Sequence, residues 1–352
     1  MARKLHAHRK KRRRFTRAMK TNSIPFLILI TALGITLQPA SADESLETLK
    51  TEAVKGYVAI AGHTTADALN KAMVLKETVY QFAASPSPER HEKAKNAWNI
   101  ARMPHLQAEV FSIGTEVTKV DHFRQIESIL WGEDKSVDGP GDRSSEYFSG
   151  GKNTEALEQL QASADAIATE LAKTAADWST GGKDTAAAKF TAQPIAEALA
   201  TIFGNVSTHA EHLAKVRIGK AYESHDQKDE SANYSDLTHA ELIYSCSGLA
   251  NVVAGAYVGS DKEAKVQGSG PLQLATKLDV EQGEKLKLAT NRMMLAVTNF
   301  RPPFDRALMA PDDSPAREAI KEMMDALEEL AGESKASAKA LGLVEEAAAK
   351  SE

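Results

Sequence analysis

The sequence predicts an all-α protein, two helical-bundle domains packed side by side after a cleaved export signal. Three observations carry this. Apolar residues recur at intervals of three and four in several long segments, which buries one face of a helix. Aromatic residues make up only 6% of the chain, Ala is abundant, and most Gly and Pro fall in a few clusters. No run of alternating apolar and polar residues marks a half-buried strand. With 352 residues, 42% apolar and 26% charged, the composition is that of a globular chain with one large or two moderate domains.

Residues 1–42 read as a targeting segment. The basic run Arg9, Lys10, Lys11, Arg12, Arg13 and Arg14 precedes an apolar stretch over residues 24–37. The small-x-small pattern Ala40-Ser41-Ala42 follows and places cleavage after Ala42. The apolar stretch is about 14 residues, short of the ~20 that a spanning helix needs, so no stable membrane span is expected in the mature form. Met19 with Lys20 is an alternative start to Met1, and Arg12-Arg13-Arg14-Phe15 is loosely similar to a twin-arginine signal. The expected location is the periplasm. Cys246 is the only cysteine, so the chain offers no lipoprotein acylation site after the signal and no internal disulfide. It reads as a small buried apolar residue.

Removing the ten Lys/Arg of residues 1–42 from the total of 43 leaves 33 against 48 Asp/Glu, or −15 with His neutral. Such a surface repels nucleic acid and anionic lipid and tolerates cations.

Beyond the signal, three Gly-rich loops interrupt the helical patterns, near residues 133–153, 179–184 and 259–271. The middle one is the expected boundary between an N-terminal bundle (43–180) and a C-terminal bundle (185–345), with a short tail at 346–352. One helix is expected over residues 195–220 with Ile195, Leu199, Ile202, Val206, Leu213 and Val216 on its apolar stripe. Another begins at Pro315 after Ser314, carries Ile320, Met324, Leu327, Leu330 and Leu341, and stops near Gly342. A third runs from Pro88 to Met103, ended by Pro104.

The segment from Asp121 to Gly132 carries the most chemical information. Read as a helix, it places Glu127 on the face shared by Phe123, Ile126 and Leu130. A carboxylate among apolar neighbours needs a partner or loses its charge. Arg124, three residues earlier, could supply a salt bridge, and a polar cluster built around Glu127 could bind a cation. Among the histidines, His209 continues an apolar stripe and reads as a core residue. His63 and Asp67 form an i,i+4 pair that could chelate a cation but is expected to be solvated, and His239 falls at a loop-to-helix junction. No His-Glu-x-x-His, nucleophile-elbow or haem-attachment pattern is present.

The same segment resembles the signature helix of imelysin-like proteins, a Gly-x-His-x-x-Glu pattern with a Leu-Trp-Gly ending. Glu127 and Leu130-Trp131-Gly132 match, His122 stands at the Gly position and Arg124 at the His position. Further segments are similar to the family: residues 98–111 with Ala101-Arg102 and Pro104, then Glu109 and Phe111; residues 231–238; residues 252–259; and residues 303–308, containing Pro303-Phe304-Asp305. The resemblance spans about residues 53–343. It implies two bundles facing each other across a polar crevice, export, and a link to iron uptake or regulation. It also implies that the His and Glu of the pattern are metal ligands.

On this basis the chain is expected to be an exported, non-enzymatic binding protein with a cleft for a metal ion or small ligand. The expected cleft residues are Arg102, Glu109, Arg124, Glu127 and Asp305, with Glu127 and, more weakly, His122 as metal ligands for a divalent or iron cation. The partner would be an envelope protein or small ligand. Two alternatives stay open: a metallopeptidase of the insulin-cleaving imelysin type, and a structural or partner-binding helical protein. Arg124 speaks against the first, since a zinc hydrolase needs about three protein ligands and Arg offers only donors.

Processing is directly testable. The mature protein should begin at Asp43, as read by N-terminal sequencing of envelope fractions; an intact apolar segment in the membrane fraction would overturn the assignment.

Overall fold

The structure is a computed structural model that describes residues 45–111, 121–132, 139–259, 265–301 and 303–343. The signal segment, its cleavage site and the tail after Leu343 lie outside the described residues. In chain order the helices are α1 (Leu46–Ala84), α2 (Pro88–Ala108), α3 (His122–Trp131), α4 (Thr154–Trp178), α5 (Ala186–Ala192), α6 (Ile195–His212), α7 (Gly219–Ser224), α8 (Thr238–Ala254), α9 (Pro271–Leu278), α10 (Val280–Asn299), α11 (Phe304–Leu308) and α12 (Pro315–Ala340). Among the described residues the only strands are β1 (Ala256–Val258) and β2 (Lys265–Gln267), paired antiparallel with Tyr257 opposite Val266. The protein is all-α. No helix of the described residues is long and apolar enough to cross a membrane.

Local signals start and stop these helices. Ser45, Ser87, Asp121 and Ser314 cap α1, α2, α3 and α12, each side chain accepting a backbone N–H three residues on. Pro88 and Pro315 occupy first-turn positions where the missing N–H is harmless. Gly132 ends α3 at φ 88° and Gly342 follows α12 at φ 69°, a backbone region that glycine enters freely.

α1 packs along α2 and α4, and α3 closes against α2 and α4. Leu75, Phe82, Trp98, Phe123, Ile126, Leu130, Leu160 and Ile167 fill this core. Two side-chain hydrogen bonds tie α2 to α3: Trp98 Nε1–H donates to the Phe123 carbonyl and His91 Nε2–H to the Leu130 carbonyl, both at 2.8 Å. In the second half, α12 packs on α6 and α10, and α10 on α8 and α9. α2 also crosses α8, and α1 packs against α6 and α9.

Four sequence expectations are corrected. α2 does not stop at Met103; it runs through Pro104 to Ala108 and tightens into a 3-10 turn over Glu109–Phe111. An internal proline costs roughly 3 kcal/mol, and the burial of Pro104, Leu106, Ala108, Val110 and Phe111 on that stretch offsets it. The helix from Ile195 continues past Lys220 to Ser224, but through a π-helical turn at Leu213–Ile218, in which the Gly219 N–H bonds to the Ala214 carbonyl five residues back. The turn shifts the helical phase of its own residues, so Val216 is exposed rather than on the buried stripe. Within the third Gly-rich stretch, residues 265–267 form β2, paired with β1 just before it. Asp67 is buried rather than solvated, because Tyr257 on β1 donates its hydroxyl to Asp67 Oδ2 at 2.9 Å.

The α2–α8 crossing is close. A Cβ built at Gly248 would lie 2.5 Å from the Gln107 carbonyl oxygen, whereas one at Gly332 in α12 would meet nothing within 4 Å. Gly248→Ala should therefore lower stability by about 2–3 kcal/mol in urea unfolding, while Gly332→Ala should raise it by up to ~1 kcal/mol. Equal effects would mean that the crossing is loose.

Candidate functional site

A polar cluster occupies the crossing. Arg102, His105 and Glu109, spaced three and four residues apart, project from one face of α2 and its 3-10 extension. Opposite them, Glu241 and Ser245 lie one turn apart on α8, a helix buried on nearly every side. The π-turn contributes Arg217 and α6 contributes His209.

Arg102 and Glu241 are buried and form an ion pair, the Arg102 Nε–H donating to Glu241 Oε1. Burial alone would weaken the Arg102 charge, but Glu241 more than reverses this and the guanidinium stays protonated. Its Cζ lies 5.0 Å from the centroid of the Phe123 ring. One step along, Arg217 grips Glu109 with both arms: Nη2 donates to Oε1 at 3.0 Å and Nη1 lies 3.0 Å from Oε2. Nη1 also donates to Ser245 Oγ at 3.1 Å. Burial pushes the Glu109 carboxyl up, yet Arg217, with His209 and His105, brings it down to about 2. Burial lowers His105 and His209 to about 4, so both imidazoles are neutral at pH 7.

Glu127 adjoins this cluster from α3. Its side chain is fully buried, and Oε1 accepts the Ser235 N–H at 2.7 Å and the Ser235 hydroxyl at 2.6 Å. Burial, reinforced by the negative charge of Glu241, raises its carboxyl to about 7 despite these hydrogen bonds. Among the described residues, three buried polar atoms of the cluster have neither a hydrogen-bond nor an ion-pair partner, Glu127 Oε2, Glu241 Oε2 and His209 Nε2, while Glu109 Oε2 has only its ion pair with Arg217.

The expected cleft residues divide. Arg102 and Glu109 stand in the cluster and Glu127 beside it. Arg124 does not form the anticipated salt bridge with Glu127; it turns to the loop before α8. Its Nη1 donates to the carbonyls of Glu230 at 2.7 Å and Ser231 at 3.3 Å, and Nη2 to that of Lys228 at 3.1 Å. Asp305 is buried at the start of α11, where Oδ1 accepts the Arg306 N–H at 2.7 Å. His122 opens α3, its Nδ1 buried without a hydrogen-bond partner among the described residues. Sequence reasoning missed His105, Arg217, Glu241 and Ser245. The available signal was Glu241 and Ser245, polar at helical spacing in an otherwise apolar stretch.

The metal implied by the resemblance does not fit the residues present. Arg124, at the imidazole position, offers donors only and spends them on carbonyls. Glu127 Oε1 is committed to Ser235. Among the described residues, no group of three or more His, Cys, Asp or Glu is placed to hold a metal ion.

The fold and cluster thus define a helical protein with a buried, charged crossing between α2 and α8. The family model for imelysin (peptidase M75) matches residues 115–334, and the chain belongs to the imelysin family. A crystal structure from Parabacteroides distasonis ATCC 8503, provisionally described as an iron-regulated protein A precursor, shares the fold. Its TM-score is 0.65 at 16% identity, covering 86% of this chain and 97% of that one. No curated protein matches the sequence.

The raised Glu127 carboxyl predicts a pH dependence. Its unfolded value is ~4.3 and its folded value about 7, so the folded state holds the proton more tightly. The stability this contributes is complete below the unfolded value and is lost as pH rises through about 7. Gln cannot ionise and keeps an acceptor for Ser235. Urea unfolding of Glu127→Gln should therefore show stability rising relative to wild type between pH 5 and 8, on the order of 3 kcal/mol. A difference constant over that range would mean that Glu127 titrates normally. Glu109, held down at about 2, acts in the opposite sense and contributes stability lost as pH falls through about 4 toward 2.

Proposed function

We propose that this imelysin-family protein is an exported, non-enzymatic binding protein of iron-related physiology, with its ligand site in the polar cluster at the α2–α8 crossing. On this reading the bundles on either side of residues 179–184 are the two jaws of the site, and Asp305 joins Arg102, Glu109 and Glu127 at its margin. The observation that carries the proposal is the set of three buried acceptor-capable atoms without hydrogen-bond or ion-pair partners among the described residues, Glu127 Oε2, Glu241 Oε2 and His209 Nε2. Each such atom costs about 1–3 kcal/mol when left dry, and a ligand bringing N–H or O–H donors would recover it. Glu109 and Glu241 balance the guanidiniums of Arg102 and Arg217, and ionisation of Glu127, whose carboxyl lies at about 7, adds a negative charge that a positively charged ligand would stabilise. Access is available at one end, since the side chains of Glu109 and Arg217 are 22% and 14% exposed, whereas those of Glu241 and Arg102 are 2% and 7% exposed.

The iron connection draws on the family and on the description of the similar Parabacteroides structure. Export draws on the signal pattern over residues 1–42.

Calorimetric titration of the mature protein with methylammonium, against sodium and citrate as controls, tests the site. Saturable methylammonium binding, weakened at least tenfold in both Glu241→Gln and His209→Ala, is the expected result. Identical responses to methylammonium and sodium would reduce the cluster to a structural network.

A further inference from the structure

We propose that α3 is a metal-independent latch for the loop over residues 225–237, in which the Arg124 guanidinium acts as a tethered cation. The inference goes beyond the ligand site and stands whether or not the cluster binds a ligand.

Residues 124 and 127 lie one turn apart on α3 and so face the same neighbour. That neighbour is a single stretch of backbone, gripped by opposite chemistries. Arg124 donates to three carbonyl oxygens within four residues, those of Lys228, Glu230 and Ser231. Glu127 accepts from the backbone N–H and the hydroxyl of Ser235. The guanidinium also lies 5.3 Å from the Tyr234 ring centroid, which adds a cation–π contact within the same loop.

Converging backbone carbonyls are the oxygen set that hard cations favour. Here a guanidinium takes that position. It is always charged, carries five donors in a planar fork and is covalently fixed to α3. The loop thereby receives the neutralisation a bound cation would give, without a dissociation equilibrium.

The loop needs such support. His225 and Asp236, near its two ends, have φ of 53° and 59°, a left-handed conformation unfavourable for residues with a Cβ. Asp236 lies two residues before Thr238, where α8 begins, and α8 carries Glu241 and Ser245. Holding the loop therefore sets the register of α8 against Arg102 and Arg217. A metal-ligated loop would couple its order to metal occupancy; this one is coupled to a side chain.

Hydrogen exchange of the mature protein, read by mass spectrometry with and without chelator and with added zinc, tests the latch. Four chains are compared: wild type, Arg124→Ala, Arg124→Lys and Glu127→Gln. In the wild type, protection of residues 227–237 should be unchanged by chelator or zinc. Arg124→Ala should exchange at least tenfold faster across that loop, with α1 and α4 still protected. Arg124→Lys should be intermediate, because an ammonium cannot fork to three carbonyls. Glu127→Gln, which keeps the acceptor, should stay close to wild type. Chelator-dependent protection of the wild-type loop would overturn the proposal, as would wild-type protection in Arg124→Ala. Should Arg124→Ala not fold, the chelator arm and Arg124→Lys decide the question. Loss of methylammonium binding with the loop still protected would fail the ligand site and leave the latch standing.

Discussion

The buried ion pair between Arg102 and Glu241 is the contact on which the rest of the arrangement turns. It joins α2 to α8, and both partners are almost wholly out of water. Removing two charges from water costs several kcal/mol per ion, and their attraction repays this only with good geometry. The geometry depends on how closely the helices approach. Gly248, set against the Gln107 backbone, permits that approach. A crossing even one methylene wider would leave two charges desolvated and poorly paired, which is far worse than having neither.

Around that pair the protonation states are mutually fixed. Arg217 holds Glu109 ionised, burial keeps His105 and His209 neutral, and Glu241 makes it costly for Glu127 to ionise as well. Carboxylates close together in the interior thus behave differently because of their neighbours. Glu109 has a bidentate cation, whereas Glu127 has one serine and a like charge. The π-turn in the α6–α7 helix is part of this, since it supplies Arg217 at the point where Glu109 and Ser245 need it. Such turns recur at functional sites because they re-aim side chains without ending the helix.

Departure from the family pattern at one position changes what a helix does. An imidazole at position 124 would be a metal donor or an acceptor, depending on its tautomer. A guanidinium can only donate, and the acceptors within its reach are the carbonyls of residues 228–231. The helix remains, as do its Asp121 cap and its buried Phe123, Ile126 and Leu130 face. Its polar residues serve the backbone of a neighbouring loop.

By itself the sequence determined the helical class, the starts of α2, α6 and α12 and the stop of α12, the burial of Glu127 and the family. All of these follow from local rules: apolar spacing, capping side chains, the backbone freedom of Gly and Pro, and ordered motifs. Arg102 and Glu109 were legible as candidates for the same reason. The partners were not. Glu241 lies 139 residues from Arg102, and Arg217 lies 108 from Glu109. No periodicity within one helix reports which helix it will meet. The extension of α2 past Pro104 was decided in the same way, by burial that the local proline rule does not contain. Arg124 and Glu127 show the limit most clearly. Spacing of three made them natural partners for each other, but a loop carrying both acceptors and donors came within reach of α3. Tertiary packing decided the pairing, because a buried polar group takes the partners the folded chain brings to it.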